Sequence, residues 1–206
     1  MLPRSTIALL LFATIIPAYA GIDLTPSVNE YVANGIKFQQ LTFQDDKRRI
    51  EYEPPRDWSI EGGTNQLRLK PKKNFADAVI TTVPLSKPQP LDDNTVKLLE
   101  QQLTADLPVG SQFAKVEEEI ANPVLLNGNA SFEVTVSYQL TGEKFFRSAL
   151  FVNLRDTQLI FRLSARKDDF QALHRDFKVS IFSWHWIEAD QASPEIAKNR
   201  EPAPTQ

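Results

Sequence analysis

Through the long middle of the chain, apolar and polar residues alternate with a period of two, the signature of strands. Ile36, Phe38, Gln40 and Thr42 alternate with Lys37, Gln39, Leu41 and Phe43, which predicts a strand with mixed faces. Arg49–Tyr52 is a short second strand, stopped by Pro54-Pro55 because proline cannot donate to a ladder. Trp58–Glu61 and Leu67–Lys70 form a hairpin around Gly62-Gly63-Thr64-Asn65. Ala76–Val83, rich in β-branched residues, is a well-buried strand. Four further strands, Lys115–Leu126, Ala130–Leu140, Lys144–Leu154 and Gln158–Ser164, are separated by short turns. The last three predict an antiparallel meander with one buried face at the centre of the sheet.

The period lengthens to that of a helix in two segments. Val96, Leu99, Leu103 and Leu107 recur at i, i+3, i+7 and i+11, with Asp92 or Asp93 to cap the start and Pro108 to block continuation. Over Lys167–Phe182, Phe170, Leu173, Phe177, Ile181 and Trp184 fall within one arc that covers the sheet. Val179, Phe182 and Trp186 lie on the far side if that helix continues; otherwise it ends near Ser183 and Trp184–Ile187 is extended. Pro26–Ala33 reads as one or two helical turns closed by Asn34-Gly35. Runs of strands with two isolated helices predict an α+β fold, an antiparallel sheet packed between helices.

The two ends differ from this pattern. Arg4, the apolar run Ile7–Ile16 and Ala18-Tyr19-Ala20 form a signal peptide over residues 1–20, with cleavage before Gly21. The apolar run is shorter than a bilayer core requires, so no span is expected in the mature chain. Residues 21–187 then form one domain of ordinary size. The tail 188–206, with Pro194, Pro202 and Pro204 among polar residues, is expected to be disordered.

Composition narrows the function classes. The chain has no cysteine, which excludes disulfides, thiol nucleophiles and Cys-ligated zinc. The net charge of −3 becomes −4 without Arg4, against a nucleic-acid surface. Among seven glycines Gly62-Gly63 is the one close pair, and no phosphate-binding fingerprint surrounds it.

The order of these elements resembles the PsbP/Mog1 superfamily, including its bacterial branch of secreted domains of unknown function. The resemblance starts at Arg49-Ile50-Glu51-Tyr52-Glu53-Pro54-Pro55-Arg56-Asp57-Trp58, similar to the family's strand, proline and Gly-Trp entry, with Asp57 where the family has glycine. A strand, a mid-chain helix, the meander and a closing helix ending Phe177-Lys178-Val179-Ser180-Ile181-Phe182-Ser183-Trp184 follow in order, over roughly 35–187. The resemblance implies an α/β/α sandwich. It carries no shared catalytic set, and its members mostly bind or assist other proteins.

Candidate chemistry is sparse. His174 and His185 lie about 16 Å apart along an unbroken helix and cannot share a metal there. No Gly-x-Ser-x-Gly elbow presents a nucleophile. Asp45-Asp46, Asp92-Asp93 and Asp168-Asp169 sit in turns and caps, where aspartate has structural work. The expectation is a secreted or periplasmic, non-enzymatic, protein-binding accessory domain that needs no cofactor or metal. Its candidate contact surface is Val179, Phe182 and Trp186. The alternatives are a carrier of a small apolar ligand and a hydrolase using His174.

Overall fold

A computed structural model describes residues 21–45, 48–188 and 201–202, so the segment 1–20, expected to be a signal peptide, and most of the tail lie outside the described residues. In chain order the elements are β1 (Asp23–Ala33), β2 (Ile36–Asp45), β3 (Arg48–Tyr52), β4 (Trp58–Gly63), β5 (Gln66–Pro71), β6 (Ala76–Pro84) and α1 (Asp93–Ala105). They continue with β7 (Gln112–Ala121), β8 (Ser131–Leu140), β9 (Glu143–Asn153), β10 (Thr157–Arg166), α2 (Lys167–Ile181), β11 (His185–Ile187) and β12 (Glu201–Pro202). Two antiparallel sheets result. One has seven strands in the order β4-β5-β6-β10-β9-β8-β7, and the other five in the order β11-β3-β2-β1-β12.

The segment read as helical turns, Pro26–Ala33, is instead part of β1. Ala33 pairs with Ile36, so Asn34-Gly35 is a two-residue hairpin turn with φ of 53° and 73° rather than a helix stop. Two consecutive positive φ angles match the strand twist, and Asn-Gly is the dipeptide best suited to them.

Both helices form where the apolar stripes place them. Asp92 caps α1 by accepting the Thr95 N–H at 2.9 Å, and Leu99 and Leu103 bury against Phe132, Val134, Val136 and Phe151. The last turn of α1 has no basic residue of its own. Arg147 of β9 supplies that charge, donating from Nη1 to the Asp106 carbonyl at 2.6 Å. On the other face of the seven-stranded sheet, Phe170, Leu173, Phe177 and Ile181 of α2 pack with Leu150, Val152, Phe161 and Leu163.

The meander is therefore buried on both faces rather than one. In β8 the apolar set turns toward α1, whereas in β9 and β10 the larger apolar set turns toward α2. The opposite set of β8, Ser131, Glu133, Thr135 and Ser137, is polar and nevertheless buried. The single sheet expected between helices is also replaced on the α2 side, because the five-stranded sheet shares that core through Leu41, Phe43, Ile50 and Tyr52. Trp184, just beyond α2, joins the two sheets: its ring centroid lies 5.4 Å from Phe43 and 5.3 Å from Phe161.

The strands at the sheet edges set up the site. β1 is tied to the β4–β5 turn where the Leu24 N–H donates to the Thr64 carbonyl at 2.9 Å. It passes so close to β4 that a Cβ on Gly62 would sit 2.3 Å from Pro26 Cδ, so a side chain there is sterically excluded. β1 pairs with β2 on both sides of that crossing.

Candidate functional site

A cleft of about 1000 Å³ opens between β1 and β4. Val28 and Glu30 of β1 and Lys37 and Gln39 of β2 form one wall. The turn Glu53–Asp57 with Trp58, Ser59 and Ile60 of β4 forms the second, and the C-terminal half of α2 the third. Volumes of this size hold small ligands or anchor side chains of a partner.

Hydrogen bonds fix the walls relative to each other. The Tyr52 hydroxyl lies 2.8 Å from Ser180 Oγ, and the Glu53 N–H donates to Ser183 Oγ at 2.8 Å. These bonds join the end of β3 to the end of α2. Trp58 stacks on Phe177 with centroids 6.1 Å apart, so the aromatic after the diproline closes the inner end of the cleft. Asp57 precedes it with φ of 67°, the left-handed conformation that glycine adopts without strain. The family's glycine at this position thus has a backbone reason, and Asp is among the few other residues that tolerate it.

The charges around the cleft pair among themselves. Lys37 meets Glu30 at 2.6 Å, and its hydrogen bond holds the Glu30 carboxyl below the usual carboxylate range. Arg175 lies 3.8 Å from Asp176, while Arg56 and Lys72 flank Asp57 at 3.7 and 3.9 Å. Four cationic and four acidic side chains line the cleft, so its net charge is zero.

The three residues expected to form a contact surface do not share one environment. Val179 and Phe182 are 62% and 65% exposed, at the end of α2, and Val179 lines the cleft. The helix stops at Ile181, so Trp186 is carried by β11, opposite Ile50. Its ring is half-buried against Trp184, its Nε1–H donates to Asp45 at 2.7 Å, and Arg48 stacks over it at 5.8 Å. Trp186 therefore closes the sheet edge instead of projecting from it.

His174 does not face the cleft. Its Nε2 lies 2.6 Å from Glu133 Oε1, beneath α2. Lys178 donates to Glu133 Oε2 at 2.6 Å and Ser148 Oγ to Oε1 at 2.8 Å. Burial pushes the Glu133 carboxyl up, but the hydrogen bonds from His174, Lys178 and Ser148 outweigh it and bring the pKa down to about 2. The space beside this cluster is about 10 Å³, enough for one water and no substrate. Among the described residues no group of three or more His, Asp or Glu side chains is arranged to hold a metal.

No family model matches the chain, and no curated protein matches its sequence. Solved structures do match its fold. The cyanobacterial PsbP of Synechocystis sp. PCC 6803 superposes with a TM-score of 0.51 at 12% identity, over 78% of this chain and 93% of that one. The fold is PsbP/Mog1-like. LpqN of Mycobacterium tuberculosis, described as involved in cell envelope biogenesis, is similar with a TM-score of 0.50 at 16% identity, over 80% of this chain and 91% of that one. A Pseudomonas aeruginosa protein of unknown function, PA94, matches more loosely at a TM-score of 0.39 and 16% identity, over 86% of this chain and 99% of that one. In this chain the Pro-Pro-x-Asp-Trp entry builds one wall of the cleft.

Proposed function

We propose that this PsbP-like chain is an extracytoplasmic accessory protein that acts by holding another protein, without catalysis. The observation that carries this reading is the pair of exposed apolar side chains at the end of α2, Val179 in the lining of an open cleft and Phe182 three residues beyond it. Large apolar residues grouped beside a concavity mark contact sites. Trp186 supports the surface from β11 by fixing the chain just after α2.

Export rests on the signal-peptide pattern of residues 1–20. Among the described residues no helix is long and apolar enough to cross a membrane. The envelope connection of LpqN fits the same compartment. N-terminal sequencing of material from the extracytoplasmic fraction should begin at or near Gly21; an intact Met1 on cytoplasmic protein would contradict it.

The cleft volume also favours a second reading, a carrier of a small apolar ligand, because it lies in the range of ligand pockets. The single substitutions Val179→Asp and Phe182→Ser, compared with each other, separate the two. Phe182 lies outside the cleft lining, so Phe182→Ser alone weakens a protein contact and leaves a small ligand's affinity unchanged. If Val179→Asp abolishes ligand uptake and Phe182→Ser has no effect on any partner, the carrier reading replaces the first.

A further inference from the structure

We infer that the cleft takes an extended, uncharged peptide segment of a protein partner as an added strand along the open edge of β4. This deepens the protein-binding reading of the cleft and rests on it. Three observations point to that occupant.

First, β4 is the last strand of the seven-stranded sheet, and Trp58, Ser59 and Ile60 of that strand line the cleft. In an antiparallel ladder alternate residues turn their N–H and C=O away from the partner strand. Gly63 and Gln66 close the two-residue turn of the β4–β5 hairpin, so the outward residues are Gly62, Ile60 and Trp58. The Trp58 N–H accordingly donates to the Pro55 carbonyl instead of to β5. At Gly62 a Cβ would meet Pro26, so β1 crosses there over the face of β4 and leaves the strand's edge uncovered by it. Ile60 lies between these two; its peptide groups turn away from β5, and the residue lines the cleft.

Second, the space has the form of a strand slot. β1 bounds the cleft on one side of β4 and the C-terminal half of α2 on the other. An extended segment beside β4 would run between Val28 of β1 and Val179 of α2. Main-chain hydrogen bonds to Ile60 would supply affinity, and alternate side chains would reach Val28 on one side and Val179 on the other.

Third, the charges select against a charged occupant. Glu30, Asp57 and Asp176 each already hold a cation of the rim. The Tyr31 hydroxyl donates to Glu53 at 2.8 Å. A charged segment would meet a lining of zero net charge whose cations are all matched already, and would lose part of its own hydration, which is unfavourable.

The test is selection of a phage-displayed random heptapeptide library on the full chain, followed by binding of the enriched peptides in solution. The expected result is enrichment of peptides without charged residues. Their affinity should fall at least tenfold when alternate peptide amides are N-methylated, and to a similar degree with Ile60→Pro. That substitution removes an outward N–H outside the β5 ladder but also the Ile60 side chain that packs on the core, so the N-methylated peptides test the same bonds without altering the protein. Peptides weakened by Val179→Asp but indifferent to both N-methylation and Ile60→Pro overturn strand addition and leave the protein-binding cleft standing. Failure to enrich any peptide, or peptides indifferent to Val179→Asp, overturns both.

Discussion

The Glu133 carboxylate of β8 lies 2.6 Å from the His174 imidazole of α2, and one helical turn later Lys178 holds its second oxygen at the same distance. The pair fixes α2 to the face of the sheet on which β8 carries polar residues. Apolar packing alone would leave the rotation of α2 about its axis less defined. Because the cleft borrows its third wall from α2, this buried cluster also positions Val179.

The cluster gives stability a specific acid limb. The folded carboxyl has a pKa of about 2 against an ordinary 4.5, so the folded state binds fewer protons than the unfolded one as pH falls. Its stabilisation is complete above about pH 4.5 and is lost between there and pH 2, up to about 3 kcal/mol. Denaturant unfolding of Glu133→Gln at several pH values should show lower stability at pH 7 and a flatter profile between pH 4.5 and 2. An unchanged acid limb would remove Glu133 from the account.

Phe177 fills the core between α2 and β4, 2% exposed and stacked on Trp58. Phe177→Ala should cost roughly 3–5 kcal/mol by chemical denaturation, from lost transfer energy and the cavity left behind. A change within measurement error would mean that α2 does not dock on this sheet.

Asp57 sits in the left-handed region at φ 67°, and its contacts with Arg56 and Lys72 are exposed. Such ion pairs contribute little. Asp57→Gly should therefore raise stability by up to about 1 kcal/mol, whereas the β-branched Asp57→Val should lower it. Melting temperatures of the two variants check the opposite signs.

Gly62 permits the close crossing of β1 over β4. Gly62→Ala should destabilise by roughly 1–3 kcal/mol, since the added Cβ meets Pro26 at 2.3 Å and one strand must shift. The same variant should increase hydrogen exchange at the Leu24 amide, which bonds Thr64 across that crossing. Unaltered exchange would show that β1 is held elsewhere.

The strands and helices with a clear period were legible in the sequence. The meander is marked by period-two alternation between short turns, and α2 by Phe170, Leu173, Phe177 and Ile181 on one arc. β1 was not, because Asn34-Gly35 serves equally as a helix stop and as a hairpin turn, and Pro26 at the start of a segment suits a first helical turn. In the fold Pro26 lies in the irregular stretch between Asp23 and Ser27. Glu133 was hidden by its position on the polar set of a strand, which reads as solvent-facing. The available signal was His174 and Lys178, spaced i, i+4 beside an apolar stripe, so that one helix face brings two cationic-type groups to the sheet. For Trp186 the sequence left two directions open; α2 ends at Ile181, as in the reading with Trp184–Ile187 extended, and strand pairing with β3 then decides its direction. The cleft itself combines the β1–β2 hairpin, the diproline turn and α2, segments up to about 150 residues apart, and no local pattern reports such an assembly.

Site-specific photo-crosslinking tests the central claim, that this chain holds a protein partner at the cleft. A photoreactive phenylalanine analogue is introduced at Val179, or at Leu98 on the exposed side of α1 as a reference, and irradiated in the native extracytoplasmic fraction. The account predicts one discrete covalent adduct from position 179, absent from position 98 and lost when Phe182→Ser is added. Equal labelling from both positions, or none from position 179, would contradict it.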